Sequence, residues 1–592
     1  MRRAIRSELW AGLLALSLES CSRPPTVLVR VEDLPADTAS LHVLPLHGGL
    51  GPHTELEPYD LPQPAPSRST FLLRLPDSFV GDVTVAVGAY QGAGATSCLL
   101  ATGSANLTEL TGVDSTLRLP VVPVTDAICN GQRPLLLDAS PKLGLIKGGD
   151  TIRLSGWGFS PGATAEFAGA VAKTTFVSGS QLDAVTPARV AIGPTTIKVS
   201  SKNGASHSRS DLFRYYADAI DLGPIPFNPN KNAQDVSDVI IGDFVPKDKT
   251  VAASLASTFR SANALSLVWA IPAQPIPTIG TNSVSFGPGS APSSVAAADM
   301  NADGISDVIV ALSGKDQVQV FLNDGLGNLT GQPPIAVGSQ PEGVAAKDLN
   351  GDGKPDIVTA NYAGSSLSVL LSLPTGGFLP AIALMSAAPG TDPPNPVSVV
   401  ISDLNQDGWN DIAAVNQVGG VNQVNGNINL FLGLGLGAFA PKAVEMLVGV
   451  EPTQIAAIDT NRDGVDDFLV ANRTSNNIQV LVNRTKKSGN INFDTFTLDT
   501  DISPESMSFS DMNGDGVTDL LVACSVTNTV NVFLNRAPDG LRSTTAQKFK
   551  MPGPPVCDGV RRLAAMDLIT DGQMDLVGLC KTGGGLMKNQ TL

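Results

Sequence analysis

The sequence predicts an all-β chain in which small sandwich-type domains precede a tandem array of four-stranded units. Three observations carry this expectation. The 592 residues are poor in aromatics (5%), rich in Gly (59) and Pro (43), and lack long stretches of 3.6-residue apolar period. A nine-residue acidic loop recurs five times, as DMNADGISD, DLNGDGKPD, DLNQDGWND, DTNRDGVDD and DMNGDGVTD, at spacings of 49, 55, 56 and 52 residues, which suits a repeat about four strands long. The flanks of each loop, such as SVAAAD before and DVIVAL after, are short, β-branched and bounded by turn residues, so the loop joins strands rather than helices.

Taken in chain order, residues 1–20 read as a leader. A basic start, MRRAIRSE, precedes the ten-residue apolar run LWAGLLALSL, which is too short to span a bilayer and suits a secretory signal. Leu18-Glu19-Ser20-Cys21 resembles a bacterial lipobox, in which Cys21 becomes the lipidated first residue; Glu19 departs from that motif, and plain export is the alternative. Ser22 after the cysteine favours, by the same resemblance, the outer membrane or cell surface. A lipid anchor is then the expected tie to a membrane, since no other apolar run is long enough to cross one.

Residues 21–131 carry alternating runs (TVLVRV, SLHVLPL, STFLLRL, GDVTVAVGAY, STLRLP) that predict a β-sandwich, with the Pro-rich LPQPAPS as a loop. Export permits oxidation, and Cys98 with Cys129 are the expected disulfide of this domain. Three further cysteines, Cys524, Cys557 and Cys580, are odd in number; Cys557 with Cys580 is the favoured pair, the others staying open. His42, His47 and His53 have irregular spacing in a Pro/Gly-rich stretch, which reads as solvated histidines rather than ligands. Over 132–217, Ser140-Pro141, Gly148-Gly149, Gly156, Gly158-Phe159, Pro161-Gly162, Phe167 and Gly169, followed by VTPA and IKV, resemble the IPT/TIG family of immunoglobulin-like domains. The resemblance implies a second sandwich used as a stalk or spacer.

The repeated loop has the chemistry of a hard cation. Calcium takes six to eight oxygen ligands, and a coiled chain can offer one from every second residue. Side-chain oxygens come from positions 1, 3 and 5: Asp299, Asn301 and Asp303; Asp348, Asn350 and Asp352; Asp403, Asn405 and Asp407; Asp459, Asn461 and Asp463; Asp511, Asn513 and Asp515. Position 7 offers a backbone carbonyl (Ile305, Lys354, Trp409, Val465, Val517), and position 9 a closing carboxylate (Asp307, Asp356, Asp411, Asp467, Asp519). Gly304, Gly353, Gly408, Gly464 and Gly516 stand where the turn calls for φ > 0. The Glu of an EF-hand loop is missing, its place in the first copy being Val310. The bland alternative, ordinary Asp-Asn-Gly turns, does not account for five copies with the same three carboxylates. A sixth copy from Asp567 keeps Asp571 and Asp575 but has Ile569 at position 3, a weaker site; a seventh around Asp243 has lost its ligands. Five calcium sites, with a sixth weaker one, are expected.

These units, from 218 to 592, resemble the FG-GAP/VCBS repeat family, the repeat of the integrin α-subunit propeller. Each reads as strand, loop, strand (DVIVAL, DIVTAN, DIAAVN, DFLVAN, DLLVAC), strand (QVQVFLND, SLSVLLSL, NINLFLGL, NIQVLVNR, TVNVFLNR) and a weaker outer strand. The resemblance implies a seven-bladed β-propeller after two immunoglobulin-like β-sandwiches, with the metal loops on one rim. The last blade runs out of chain before its outer strand, and DLGPIPFN at Asp221–Asn228 is expected to fill the gap and close the ring.

The formal charge of −16 is mostly a ligand inventory, because five loops hold 15 carboxylates at ligand positions; nothing suggests a basic nucleic-acid surface. No histidine lies in the repeat region, which removes the commonest general base, and no catalytic set emerges. GLGLGA at Gly433 precedes no helix and reads as a hairpin turn. The favoured function is therefore surface binding or adhesion to a glycan or protein. The alternative is a carbohydrate-active enzyme, such as a calcium-dependent polysaccharide lyase with a Lys or Tyr base. On the rim opposite the metal, Asn361-Tyr362, Asn416-Gln417 and Asn472-Arg473 hold equivalent places; the three Asn read either as turn residues or as a ring of amides for a ligand.

Overall fold

The computed structural model describes residues 26–32, 40–47, 59–62, 68–74, 83–90, 99–107, 115–120, 122–128, 134–189, 191–217 and 222–225, then 235–589 apart from 248–250, 252, 272–277, 374–375, 386–393, 419–424, 441–443, 486–490, 537–539, 552–556 and 568–572. Cys21, Cys98, Cys129, His53 and Asp571 lie outside them, so the lipid anchor, the N-terminal disulfide and the middle of the sixth loop are expectations only. The described chain is all-β: it holds strands and two 3-10 turns, Ser313–Lys315 and Leu541–Ser543. Among the described residues no helix is long and apolar enough to cross a membrane.

The chain divides into two compact units, the first within residues 1–213 and the second comprising 143–148, 188–194 and 214–592. In the first, the N-terminal strands make a sheet in the order Arg68–Arg74, Thr26–Glu32, Ser115–Pro120, and another in the order Tyr59–Pro62, Ser40–His47, Val83–Tyr90, Leu99–Leu107, Val122–Ile128. The stretch after them builds a sheet ordered Lys173–Ser178, Gln181–Val185, Thr151–Trp157, Leu135–Ser140 and a partner containing Gly193–Ser200 and Thr164–Phe167. Alternating residues fill its core, with Leu154, Trp157, Phe167 and Val199 fully buried and Phe167 edge-on to Phe213 at 5.2 Å.

The second unit contains, among its described residues, seven sheets of three or more strands and one two-stranded hairpin sheet, Gly433–Gly435 with Ala438–Phe439. Sheets 1 to 6 each have four antiparallel strands in chain order, with a fifth, Ile335–Ala336, beside the third strand of sheet 2, the first strands being Val236–Gly242, Pro292–Ala298, Pro341–Lys347, Pro394–Ser402, Pro452–Ile458 and Pro504–Ser510. Four of their second strands, Asp307–Leu312, Asp356–Asn361, Asp467–Asn472 and Asp519–Cys524, are buried at every residue, because neighbouring sheets cover both faces. A continuous aliphatic run suits that setting better than alternation. Outer strands such as Phe493–Asp499 and Gln547–Lys550 are half polar and partly exposed, as expected of a sheet edge.

Sheet 7 is completed from outside its own repeat. Cys557–Met566 pairs with residues 575–583, and Leu222–Ile225 pairs with residues 586–589 of the same run, Asp575–Asn589. The run doubles back, since Asn589 N lies 3.0 Å from Asp575 Oδ1. The strand before the first sheet thus covers the edge of the last, where the sequence expected it. The first strands neighbour one another in cyclic order, from sheet 1 to sheet 7 and from sheet 7 back to sheet 1. Cys557 and Cys580 are disulfide-bonded within sheet 7, whereas Cys524 is a buried thiol that burial pushes up to about 12.

Adjacent sheets are latched by an asparagine that the sequence reading passed over. At the end of the third strand, Asn323 Nδ2 donates to the Phe244 carbonyl of the preceding sheet (2.9 Å), Asn483 to Leu404 (2.9 Å), Asn535 to Thr460 (2.9 Å) and Asn589 to Met512 (2.9 Å). Each acceptor stands second in its loop sequence, the Phe244 copy being the decayed one. Ser372 and Gly433 replace the asparagine in sheets 3 and 4; Asn410 Nδ2 donating to the Asp348 carbonyl (2.6 Å) bridges that pair instead.

Asn483→Ala and Asn535→Ala each leave a buried carbonyl unmet, so each is expected to lower stability by about 1–3 kcal/mol in thermal or denaturant unfolding. Replacing Leu222–Ile225 with a Gly/Ser segment of equal length uncovers the edge of sheet 7; a lower melting temperature and concentration-dependent association in light scattering are the expected readouts.

Candidate functional site

The five loops fold alike. The glycine at position 6 has φ of 80°, 82°, 94°, 84° and 81° (Gly304, Gly353, Gly408, Gly464, Gly516), as the turn required. Position 4 is also left-handed, and only Gly351 and Gly514 relieve it; Ala302, Gln406 and Arg462 adopt φ of 62°, 55° and 61°. In each loop the first aspartate accepts the position-6 amide (2.8, 2.8, 2.9, 2.8 and 2.8 Å for Asp299, Asp348, Asp403, Asp459 and Asp511). The position-3 amide oxygen accepts the position-5 N–H, as Asn301 does from Asp303 (2.9 Å) and Asn350 from Asp352 (2.8 Å). The position-5 carboxylate accepts the position-7 N–H, as Asp407 does from Trp409 and Asp463 from Val465 (2.9 and 3.1 Å).

The closing aspartate behaves differently. Asp307, Asp356, Asp411, Asp467 and Asp519 are fully buried. Their Oδ2 atoms accept the position-2 N–H (2.9, 2.9, 3.0, 3.1 and 2.9 Å), and their Oδ1 atoms accept an N–H at the end of the third strand, 2.8 Å away in every copy. Burial raises the pKa of all five, to about 6 for Asp411 and well above the usual range for Asp519, and their acidic loop neighbours add to it.

The donor set, carboxylate, amide and carbonyl oxygens without sulfur or imidazole, suits a hard cation. Among the described residues, however, no three acidic, histidine or cysteine side chains converge as a metal cluster; the oxygens are turned to loop N–H groups. The fifth loop is further distinguished. Asn513 and Asp515 are buried where Asp303, Asp352, Asp407 and Asp463 are exposed, and Arg214 of the same unit donates from Nη1 to Asp511 Oδ2 (2.9 Å) and to the Gly514 carbonyl (3.3 Å). Asp575 of the sixth copy keeps the closing role, accepting from Asn589.

At the other ends of the same strands, about six residues or 20 Å from the loops, side chains from all seven sheets meet around a cavity of about 440 Å³. It is built on ion pairs. Arg260 Nη1 donates to Glu342 Oε1 (3.1 Å) and Nη2 to Oε2; Arg473 Nη2 donates to Glu505 Oε2 (2.8 Å) and Arg561 Nη1 to Asp235 Oδ1 (2.8 Å). Arg562 lies with Nε 3.4 Å from Asp238 Oδ1. Tyr362, Gln340, Gln417, Ser237 and Thr453 complete much of the wall.

The sequence pointed to this end of the strands and left the first residue of each pair open, as a turn residue or as part of an amide ring. Asn361, Asn416 and Asn472 are fully buried. Asn361 Nδ2 donates to Ser366 and Ser368 Oγ (3.3 and 2.9 Å), Asn416 Nδ2 to Asn427 Oδ1 (2.7 Å) and Asn472 Nδ2 to Asn477 Oδ1 (2.9 Å), so they are rungs between second and third strands rather than an accessible amide ring. The next residues, Tyr362, Gln417 and Arg473, line the cavity. Glu342, Glu505, Arg561 and Arg562 were missed because they sit in first strands and carry no motif. GLGLGA is the hairpin expected of it, Gly433–Gly435 pairing with Ala438–Phe439.

Comparison with known proteins finds both the repeat and the domain that the sequence resembles. The FG-GAP-like repeat matches at residues 299–359, 348–414, 403–470, 459–522 and 511–578, each match running from one acidic loop through the next, and the IPT/TIG domain matches at 134–215. No curated protein sequence matches. Among solved structures, an auxiliary nutrient binding protein from Bacteroides ovatus aligns over 78% of this chain and 99% of its own at 12% identity and a TM-score of 0.35. A Bacteroides thetaiotaomicron protein provisionally described as a phosphatase aligns over 78% and 98% at 13% and 0.34. A functionally unknown protein from Desulfotomaculum acetoxidans aligns over 60% and 96% at 14% and 0.35. Residues 299–578 of this chain belong to the FG-GAP-like repeat family, and residues 134–215 to the IPT/TIG domain family.

Proposed function

We propose that this is an exported ligand-binding protein of the cell surface, anchored through Cys21, whose seven sheets are the blades of a calcium-stabilised β-propeller preceded in the chain by two immunoglobulin-like sandwiches. The carrying observation is the convergence of polar side chains from all seven sheets on one cavity of about 440 Å³. Sites for small ligands are typically concave spaces of this size with a few converging polar groups. The cavity and the acidic loops occupy opposite ends of the strands, so the ion shapes the ring and does not touch the ligand. Each carboxylate lining the cavity is engaged by an arginine. That favours holding a glycan or a protein side chain over proton abstraction from a substrate.

Calcium acts on stability in this reading. The side-chain oxygens of positions 1, 3 and 5, the position-7 carbonyl and the buried closing aspartate would hold the ion, whose positive charge would offset the mutual repulsion of the loop carboxylates. A site filled at about 100 times its dissociation constant stabilises the fold by about 2.7 kcal/mol. In the fifth loop the Arg214 guanidinium already holds Asp511, so that loop is the weakest of the five complete ones.

Chelation with EGTA is expected to lower the melting temperature, and Asp348→Ala with Asp352→Ala to remove one calcium from the stoichiometry measured by titration calorimetry; an unchanged melt on chelation would sink the stabilising role. Combining Asn361→Ala, Asn416→Ala and Asn472→Ala should lower the melting temperature while ligand binding at saturating calcium persists.

A further inference from the structure

The hydrogen bonds around the cavity are lopsided. Its carboxylates are satisfied: Glu342 Oε1 accepts from Arg260 (3.1 Å), Ser313 Oγ (2.9 Å) and Gln340 Nε2 (3.2 Å); Glu505 Oε1 accepts from Ser525 Oγ (3.0 Å) while Oε2 takes Arg473. Asp235 Oδ2 accepts from Ser261 Oγ (2.7 Å) and Oδ1 takes Arg561. The guanidinium groups are not satisfied. A guanidinium carries five N–H donors, yet among the described residues the Arg473 guanidinium makes a single hydrogen bond, to Glu505, and that of Arg561 also makes one, to Asp235. Arg562 donates only from Nη1, to the Glu505 and Arg561 carbonyls (3.4 and 3.0 Å), besides its ion pair through Nε. The charged groups at this site that keep unused hydrogen-bonding capacity are therefore chiefly guanidinium donors, beside neutral groups such as Tyr362 and Gln417.

We infer that the cavity takes a compact hydroxylated acid, a uronate-type sugar either free or at the end of a glycan, whose carboxylate faces the guanidinium groups of Arg473, Arg561 and Arg562. The inference rests on the ligand-binding reading and narrows it. Arginine suits this task because its planar fork matches a carboxylate with two parallel hydrogen bonds, whereas a neutral hydroxyl meets it with one. The neutral side chains beside them, Gln417, Tyr362 and Ser237, supply the donors and acceptors that ring hydroxyls need. An enclosure made by seven sheets admits a compact terminal unit more readily than an extended peptide, which is why a sugar acid is favoured over an acidic protein segment.

Titration calorimetry on the full calcium-loaded chain would compare glucuronic and galacturonic acids with glucose and galactose, and longer oligouronates with the single sugars. The uronates should bind and the neutral sugars should bind at least tenfold more weakly. Arg473→Gln and Arg561→Gln should each cut uronate affinity about tenfold to a hundredfold, with melting temperatures close to that of the parent. Oligouronates binding more tightly than monomers would assign the acid to a glycan end, and equal affinity to a free sugar acid. Neutral sugars binding as well as uronates, with Gln417→Ala weakening both and the arginine variants weakening neither, would overturn the anionic ligand and leave the cavity as the site. An aspartate-rich peptide competing where no sugar binds would overturn the sugar. Absence of binding to a broad glycan and protein array would overturn the ligand-binding reading as well.

Discussion

The closing aspartate of the acidic loop is the constraint on which the ring of sheets depends. One buried carboxylate joins three segments of its own repeat: the start of the loop, the second strand it begins, and the end of the third strand, whose N–H lies 2.8 Å from Oδ1 in all five complete copies. The asparagine often found at that strand end then carries the connection to the preceding sheet. Removing a carboxylate from water is costly unless it is hydrogen-bonded, and here both oxygens are. The bonds do not cancel the cost, as the raised pKa values record. An aspartate whose pKa is higher folded than unfolded opposes folding as pH rises past the unfolded value, most fully above the folded one. A divalent cation placed among these carboxylates would act in the opposite direction, which is a physical reason for the loop to be built around one.

Much of this architecture was legible because the loop repeats. Five copies at nearly constant spacing fix where each first strand ends and each second begins, and the aliphatic runs after them could only be buried. The covering strand at Leu222–Ile225 was legible by subtraction, since the last repeat lacks the length for four strands while an unassigned strand precedes the first. The asparagine latch was visible in principle: VFLND, VLVNR, VFLNR and MKNQ place Asn323, Asn483, Asn535 and Asn589 at one position. It was passed over because strand-end asparagines ordinarily signal turns, and its acceptor lies 75 to 79 residues away in the other sheet.

The cavity was far less legible. Its place at the strand ends away from the loops followed from topology, but strand alternation moves the choice of residue by one, and a shift of one residue exchanges a buried face for an open one. Asn361, Asn416 and Asn472 look alike because they perform one internal task, bonding across to the third strand. Tyr362, Gln417 and Arg473 look unrelated because each faces the cavity. Glu342, Glu505, Arg561 and Arg562 come from first strands and Arg260 and Arg473 from just past the ends of second strands, in sheets far apart in sequence, and no local pattern announces that they meet.

That contrast has a physical basis in the symmetry of a ring. Positions that hold the ring together see the same surroundings in every repeat, so one solution, Asp at the loop's close or Asn at the latch, serves nearly all of them. Where the surroundings differ the solution changes, as when Asn410 bridges sheets 3 and 4 in place of a strand-end asparagine. Positions that face the common centre see one another and whatever lies between them. Filled with seven identical residues, such a centre would hold a ligand in seven equivalent orientations and discriminate poorly among them. Occupied instead by Tyr362, Gln417 and Arg473 at one equivalent place, and by charged pairs on only part of the circumference, it presents a polar direction. The loss of repeat character at the cavity is therefore what a single bound orientation requires, and repetition in the loops marks where the chain is supporting itself.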